Sequence, residues 1–262
     1  MFKIAFLFLT MAGVFHEHYW QDFFSGHQNK YSILVHSKYG VDNNSWFKPF
    51  EMPYRVENSW ARTMKAQIAM LKEALKDTDN EIFIFCSQNC LPLQSFDFMY
   101  DMVMPLHKSI FSYEINPHAD KSRSCYATHR DIQPIAANKQ YKNTQWIILK
   151  RKHAQMMVDD AELINLISRY PHDQEHYPSI FFALYGMLDE VYKCEKTMVV
   201  WHLNKNPPYV FHNLIDPQEF MLIADAIKYG VFFVRKLDEH CNLKPIDHLL
   251  DYKNTTNAQL FT

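Results

Sequence analysis

Two histidines with two carboxylates between them form the first candidate site in this sequence. His172 and His176 stand four residues apart, with Asp173 and Glu175 between them. On a helix this spacing would put both imidazoles on one face, where they could bind a metal ion. We favour a structural role for the two histidines, because prolines bracket the segment on both sides and the sequence suggests no third ligand.

The carboxylate of Glu175 is a candidate general base. It stands just before an apolar stretch, residues 177–188, which we predict to be a helix. Partial burial against that helix would make the carboxylate a better proton acceptor for a reacting hydroxyl group. From spacing alone, however, we favour the interpretation that Glu175 is a carboxylate without a catalytic role.

A second candidate site follows the apolar run at residues 82–85, which is typical of a central parallel strand. Ligands of α/β sheets bind beyond the carboxyl ends of such strands. Residues 85–93 include Cys86 and Cys90, whose spacing differs from that of a redox pair, and we predict two buried thiols there. The segment contains no carboxylate, although Mg²⁺ or Mn²⁺ beside a diphosphate is usually held by carboxylate oxygens.

Two adjacent cations, Arg235 and Lys236, end a predicted strand at residues 231–234. Strand alternation would place their side chains on opposite faces. Taken alone, the pair is typical of a solvated strand end. Beside a site that lacks carboxylates, the two cations could instead balance the charge of a diphosphate leaving group.

The elements that must position these residues alternate between short apolar runs and helical patterns, which predicts an α/β fold. The predicted strands are residues 4–9, 31–36, 82–85, 109–113, 145–149, 198–201 and 231–234. The predicted helices are residues 18–24, 60–75, 96–103, 152–158, 161–168 and 177–188, one after Asp216-Pro217, and 245–250. Asn58 and Ser59 are expected to cap the helix at residues 60–75.

Composition excludes several classes of protein. The 262 residues are 48% hydrophobic and 21% charged, which excludes intrinsic disorder. Only 5 glycines occur, where average usage would give about 18, and none are close enough together to form a glycine-rich phosphate loop. The net charge of −2 argues against a nucleic-acid partner. Five cysteines are not typical of a disulfide framework.

The N-terminal run of apolar residues has two interpretations. Lys3 precedes residues 4–9, as in a signal sequence, but no small-residue cleavage site follows. The run is also far shorter than the ~18 residues that a membrane span needs. We therefore predict a first buried strand and one domain over residues 1–262, with a nucleotide-sugar half (1–115) and an acceptor and catalytic half (116–262).

A series of segments resembles, in chain order, the core-2/I-branching family of glycosyltransferases, which includes β-1,6-N-acetylglucosaminyltransferases and xylosyltransferase-like proteins. Residues 174–179, Gln-Glu-His-Tyr-Pro-Ser, are similar to the family pattern Asp-Glu-His-Tyr-x-Pro-Thr. Residues 142–146, Lys-Asn-Thr-Gln-Trp, resemble Lys-Gly-Ser-Gln-Trp, and residues 233–237 resemble Phe-Ala-Arg-Lys-Phe. The predicted strands at residues 3–9 and 31–36, the helix at 60–75 and the segment 85–93 also correspond.

The resemblance implies a GT-A-like α/β fold with a mostly parallel central sheet flanked by helices. It further implies an inverting transfer of a sugar, N-acetylglucosamine or xylose, from a UDP-sugar to a glycan hydroxyl, giving a β-linkage without a metal or other cofactor. Glu175 would be the base. The donor diphosphate would be bound by Lys236 and Arg235, with Lys196, or next Lys193, in place of a family arginine. The acceptor would be contacted by Glu114, Lys121, Arg123 and Trp146.

Several departures from the family pattern keep alternatives open. Gln174 replaces an aspartate, a residue is missing between Tyr177 and Pro178, and residues 200–202 read Val-Trp-His instead of Asp-Trp-Ser. The competing hypothesis is a non-catalytic nucleotide- or glycan-binding module on the same scaffold, and a metallohydrolase built on the two histidines ranks third. Many family members have a membrane anchor before the first strand, whereas this sequence starts directly at that strand. We therefore expect a soluble protein in the cytoplasm of a microbe or virus-infected host.

Overall fold

The computed structural model describes residues 1–115, 132–201, 203, 208–214 and 216–250, where helices pack on both faces of a six-stranded sheet. The strands are β1 (Lys3–Thr10), β2 (Tyr31–Ser37), β3 (Asn80–Ser87), β4 (Leu91–Pro92), β5 (Ser109–Ile110), β6 (Tyr113–Ile115), β7 (Tyr141–Asn143), β8 (Ile148–Lys150), β9 (Val191–Tyr192), β10 (Thr197–Val199), β11 (Phe211–Asn213), β12 (Phe233–Arg235) and β13 (Leu237–Asn242). The α-helices are α1 (Glu17–Phe24), α2 (Met64–Ala74), α3 (Phe96–Val103), α4 (Arg151–Asp159), α5 (Ala161–Ile167), α6 (Tyr177–Leu184) and α7 (Pro217–Lys228).

The main sheet has the strand order β2-β1-β3-β8-β5-β9. β1 is parallel to both β2 and β3, and β5 is parallel to β9, whereas β8 is antiparallel to its neighbours β3 and β5. The sheet is therefore mostly parallel. This architecture confirms the predicted α/β fold with helices on both sides of a central sheet.

Both faces of the sheet are buried, and β1 shows why its sequence is a continuous apolar run. Ala5 and Leu7 belong to a core that includes residues of α2, α4 and α6. The alternate residues Ile4, Phe6 and Phe8 belong to a second core with residues of α1 and α3. Successive side chains of a strand point to opposite faces, so a strand covered on both sides needs apolar residues at every position.

The second helix begins later than its sequence pattern predicts. Trp60 continues the apolar spacing of the helix, but α2 starts at Met64 and Trp60 is 87% exposed. Residues 59–62 instead form a tight turn, in which Ser59 and Arg62 exchange backbone hydrogen bonds. Ala61 has a left-handed backbone with a φ of 62°, a conformation that a helix does not use.

The start of α2 is capped from a distant part of the chain. The Asp173 Oδ1 atom accepts hydrogen bonds from the backbone N–H groups of Thr63, at 3.0 Å, and Met64, at 3.1 Å. The first N–H groups of a helix have no partner within the helix, and a carboxylate there also interacts favourably with the helix dipole. The prediction that Asn58 and Ser59 cap this helix is therefore wrong.

Smaller differences from the predicted elements occur elsewhere. The strand predicted at residues 109–113 is divided between β5 and β6, which lie in different sheets. α6 ends at Leu184, shortly before Gly186, whose φ of 70° terminates the helical conformation. The last predicted helix is a 3-10 helix, Lys244–Leu249. None of the helices in the described ranges is long and apolar enough to cross a bilayer.

A small three-stranded sheet, β10-β12-β4, lies beside the main sheet and positions the two cations. β12 is parallel to β10 and antiparallel to β4. Its central residue Val234 packs in a third hydrophobic core, which includes Ile223 of α7. Arg235 is the last residue of β12 and Lys236 follows it, so both cations lie at the end of a strand with a well-packed interior.

Candidate active site

The carboxyl ends of β1, β2 and β3 lie at one edge of the main sheet, because the three strands are parallel. The loops that follow β1 and β3 contact each other there. The backbone N–H of Met11 donates to Gln88 Oε1 at 2.6 Å, and that of Phe15 donates to the Gln88 carbonyl at 2.7 Å. The segment at residues 85–93 therefore reaches the sheet edge that its sequence predicts.

A cavity of about 660 Å³ opens beside the loops that follow β1 and β2. This volume lies in the range of small-molecule sites. Its lining includes the cations Lys48 and Arg55, both of which form ion pairs with Glu51, at 2.7 Å and 3.3 Å. Asp42 and Glu239 add carboxylates to the wall. The cavity wall thus carries both positively and negatively charged side chains.

Gly40 is required at the wall of this cavity. Its φ of 100° lies in the left-handed region that side chains rarely adopt. A Cβ atom at this position would lie 2.7 Å from an Arg55 guanidinium nitrogen. That nitrogen is the far end of a flexible, 53% exposed side chain, so the backbone conformation is the main reason for glycine here.

Glu175 lies at the end of the 3-10 turn Asp173–Glu175, immediately before α6. Its side chain is partly buried, with 23% of its surface exposed, and its Oε2 atom lies 3.3 Å from Lys142 Nζ. The proline that follows, Pro178, sits in the first turn of α6, where its missing N–H removes no helical hydrogen bond. The residue missing relative to the family pattern is thus accommodated at a helix start.

The position of Lys142 follows from contacts of its neighbours on β7. His176 Nδ1 lies 3.2 Å from the Tyr141 carbonyl, within hydrogen-bonding distance. The side-chain oxygen of Asn143 accepts from the backbone N–H of Ser179 at 3.1 Å. These two contacts hold β7 against the segment that contains the candidate base, with Lys142 between them.

Arg235 forms the cationic side of the same region. Its guanidinium carbon lies 4.6 Å from the centre of the Trp146 ring, in a cation–π contact. Its Nε atom is buried and has no hydrogen-bond partner among the described residues. Burial lowers the pKa of Arg235, while Cys90 and, to a smaller extent, the charge of Glu175 act in the opposite direction. Carboxylate and guanidinium are therefore close enough to interact electrostatically.

Lys236 is the second cation at this strand end. Burial, and then the neighbouring charge of Arg235, lower the pKa of its ammonium group. Within the ranges that the structure describes, no side chain forms an ion pair or hydrogen bond with this ammonium. Its main-chain carbonyl accepts a hydrogen bond from Phe211, which connects β11 to the end of β12.

The other two predicted donor-binding lysines lie apart from this pair. Lys196 precedes β10 and donates to the Gly230 carbonyl at 3.0 Å. In the parallel pair of β10 and β12, Val199 lies opposite Arg235. Lys196 comes before the first residue of β10, so it lies at the end of the pair that is remote from Arg235. Lys193 lies over the Tyr113 ring at 4.8 Å, beside β6. A diphosphate-binding role for either lysine stays a prediction.

The predicted acceptor-binding residues fall into two groups. Glu114 is exposed on β6 directly opposite Lys142 of β7, which places it next to the Lys142–Glu175 ion pair. Trp146 is buried, with 8% exposure, and contacts Arg235. Lys121 and Arg123 lie outside the described residues.

The histidine pair is not arranged as two ligands on one helix face. His172 precedes the 3-10 turn with a left-handed φ of 58°, and His176, at the other end, is buried against Tyr141. Across the part of the chain that the structure describes, no group of three or more His, Cys, Asp or Glu side chains is placed to hold a metal ion. Cys86 and Cys90 are buried free thiols, as predicted.

Two features of this region were not predicted from the sequence. The sequence indicates Lys142 only as part of a motif, without a role, although its ammonium nitrogen lies 3.3 Å from the Glu175 carboxylate. The cavity after β1 and β2 combines residues from loops and from β13. Its composition could not be inferred, although the parallel strand order predicts its position at this sheet edge.

Comparison with known proteins assigns the chain to a family. The sequence profile of the Core-2/I-Branching enzyme family matches residues 4–223. The chain belongs to the Core-2/I-Branching enzyme family. This membership confirms the resemblance of the motifs, and the family is one of enzymes.

A curated relative supports the same assignment. Glycosyltransferase BC10 of Oryza sativa subsp. japonica is 27% identical over 240 residues, which cover 78% of this chain and 59% of the relative. The chain therefore spans about 59% of the length of this core-2/I-branching relative.

Two solved structures are more distantly similar. The galactosyltransferase LgtC, in complex with donor and acceptor sugar analogues, is 10% identical, with coverage of 88% of this chain and 86% of that one and a TM-score of 0.41. A197 from STIV is 14% identical, with coverage of 58% and 67% and a TM-score of 0.30.

Proposed function

We propose that this protein is an inverting glycosyltransferase that moves a sugar from a UDP-sugar to a glycan hydroxyl and forms a β-linkage without a metal ion. N-acetylglucosamine or xylose is the proposed sugar. The observation that carries the proposal is the partly exposed carboxylate of Glu175, which lies beside Lys142 and within electrostatic reach of Arg235. A proton acceptor and a cation for the leaving group are thereby available in one region.

In the proposed reaction, an acceptor hydroxyl attacks the anomeric carbon of the donor sugar. The new bond joins the acceptor oxygen to that carbon, and the bond from the carbon to the diphosphate oxygen breaks. The proton of the hydroxyl passes to Glu175, and UDP leaves with the bonding electrons. Attack from the face opposite UDP inverts the configuration of the anomeric carbon.

Arg235 and Lys236 would stabilise the negative charge that develops on the diphosphate. The buried Arg235 Nε atom without a described partner supports this role, because an unsatisfied donor can bind an incoming phosphate oxygen. Fixed cations stabilise the leaving group as it departs. This is the work that a divalent metal performs in related carboxylate-containing sites.

We assign the nucleoside of the donor to the cavity beside β1 and β2. Its volume of about 660 Å³ suits a nucleoside, and Glu239 in its wall lies three residues after Lys236. The segment at residues 88–90 connects the two regions, because the Asn89 carbonyl accepts a hydrogen bond from Leu237 while Gln88 contacts the loop after β1. The diphosphate would extend from this cavity toward Arg235.

Substitution of Glu175→Gln tests the proposal. We expect loss of transfer with nearly unchanged UDP binding in calorimetry, because the change removes the proton acceptor but keeps the side-chain shape. Glu162→Gln, on an exposed position of α5, is the matched control. Near-normal turnover of Glu175→Gln would show that the base is wrongly assigned.

A donor panel tests the class of function. Wild-type protein is incubated with UDP-N-acetylglucosamine, UDP-xylose and other UDP-sugars without acceptor, and released UDP is measured. Slow release with at least one donor is the expected result. Binding of UDP without release from any donor would support the non-catalytic binding module instead.

A further inference from the structure

Trp60 is an exposed indole on a hydrogen-bonded turn. With 87% of its surface exposed, it contrasts with Trp20, which is fully buried. Tryptophan side chains are highly buried on average, so an indole in water is an informative exception. The turn that presents Trp60 is closed by two backbone hydrogen bonds between Ser59 and Arg62, at 3.3 Å and 3.0 Å.

The same turn is fixed to the segment that leads to Glu175. The backbone N–H of His172 donates to the Ala61 carbonyl at 2.6 Å, and the Arg62 guanidinium donates to the Ser168 carbonyl at 3.0 Å. Asp173 binds the two N–H groups that follow the turn. The backbone that presents the indole is therefore positioned by contacts with residues 168–173.

His172 lies between the indole and the proposed base. The Trp60 and His172 rings meet edge to face, with centroids 5.4 Å apart and an angle of 79° between the planes. The His172 carbonyl accepts the backbone N–H of Glu175 at 2.8 Å. Trp60 is thus separated from the turn of the base by one side chain, that of His172.

The surroundings of Trp60 match a sugar better than an apolar protein surface. Glu57, Ser59 and Arg62, its neighbours in the chain, are all exposed and polar. Protein-docking patches are contiguous apolar areas of several hundred Å², whereas a pyranose ring has one small apolar C–H face surrounded by hydroxyl groups. A lone aromatic ring surrounded by hydrogen-bonding groups fits the second pattern.

We propose that Trp60 forms a stacking subsite for a sugar ring of the acceptor, next to the ring that receives the transferred sugar. The inference rests on the proposed function, because it takes Glu175 as the position of the reacting hydroxyl. The subsite favours acceptors of two or more rings over single sugars. It adds affinity for the acceptor and takes no part in proton transfer.

Binding of saccharides of increasing length tests the subsite. Methyl β-galactoside, methyl β-lactoside, xylotriose and chitotriose are titrated by calorimetry into wild type, Trp60→Ala and Trp60→Tyr, each with saturating UDP. For wild type we expect tighter binding of a two- or three-ring saccharide than of the single sugar. Trp60→Ala should lose about 10-fold in that affinity, and Trp60→Tyr should restore most of it.

Tyr229→Ala is the matched control, because Tyr229 is 70% exposed and follows α7 near the end of β12 remote from Arg235. Its saccharide affinity should equal that of wild type. Equal binding by Trp60→Ala and wild type, no gain with ring number in wild type, or the same loss in Tyr229→Ala would overturn the subsite.

The two proposals fail in different ways. Transfer that proceeds with an unchanged acceptor KM in Trp60→Ala would reject the subsite alone. Trp60-dependent saccharide binding without UDP release from any donor would reject the transferase and the acceptor role, and would leave Trp60 as a saccharide-binding residue of a non-catalytic module.

Discussion

The Lys142 ammonium lies 3.3 Å from the Glu175 carboxylate, although the two residues come from different elements of the chain. β7 contributes the lysine and the 3-10 turn before α6 contributes the carboxylate. Both side chains are mostly buried, with exposures of 14% and 23%. Partial burial limits solvent screening, so this ion pair orients the carboxylate more strongly than a surface pair would.

Replacing Lys142 should impair transfer through the position of Glu175. In Lys142→Met we expect kcat/KM to fall about 10-fold, because the carboxylate loses the contact that orients it. Lys142→Arg, which keeps the charge, should recover part of the rate. Steady-state kinetics with a UDP-sugar measure the effect on transfer, and calorimetry with UDP measures any effect on UDP binding. Weaker UDP binding with unchanged kcat would contradict an orienting role.

Lys236→Ala should weaken UDP binding by about 10-fold or more. The substitution removes a cation from the strand end proposed to bind the diphosphate. Lys228→Ala, at the last turn of α7, is a control of equal charge change. Calorimetric titration with UDP and with uridine provides the readout, and an equal loss for both ligands would argue against a diphosphate contact.

Chelation should leave the activity unchanged. Because the diphosphate charge is proposed to be balanced by Arg235 and Lys236, UDP release and transfer are expected to proceed equally with and without EDTA. The assay is performed on protein dialysed against EDTA and again after addition of Mn²⁺. A strong rate increase on adding the metal would refute the assignment of the two cations.

Asp173 should make stability depend on pH. Burial raises the pKa of Asp173 to about 6, despite the backbone hydrogen bonds that favour its anion. In the unfolded chain an aspartate titrates near 3.9, so between about pH 4 and pH 6 only the folded protein holds this proton. The contribution to stability therefore decreases as the pH rises through this range.

Asp173→Asn isolates that contribution, because the amide oxygen can still accept from the helix start. Relative to wild type, the variant should gain about 2–3 kcal/mol in unfolding free energy between pH 4 and pH 7. Asp173→Ala also removes the cap and should be less stable than Asp173→Asn by about 1 kcal/mol. Urea unfolding at both pH values measures the differences, and a pH-independent offset would exclude this titration.

Local periodicity was sufficient to predict most of the fold. The apolar runs of β1 and β3 and the helical spacing of α3 predict those elements closely, because packing on the sheet requires these patterns. The start of α2 is not predicted correctly, because contacts with a remote segment override the local pattern there. Trp60 has the spacing of a core residue, but contacts with residues 168–173 hold it in a turn.

The sequence predicts which residues belong to the candidate site but does not predict which of them contact each other. Glu175, Arg235 and Lys236 were identified from their positions before or after predicted elements. The approach of Lys142 to Glu175 depends on how β7 docks on the start of α6, through the side chain of Asn143. Such contacts between remote segments have no local signal in a single sequence.

The cap on α2 has a consequence for the order of folding. Thr63 and Asp173 are separated by 110 positions, and closing so large a loop has an entropic cost that delays contacts of this kind. The first turn of α2 can form fully only after the later segment has docked. Hydrogen exchange at the Thr63 and Met64 amides would therefore report the docking of that segment, while amides in the middle of α2 gain protection earlier.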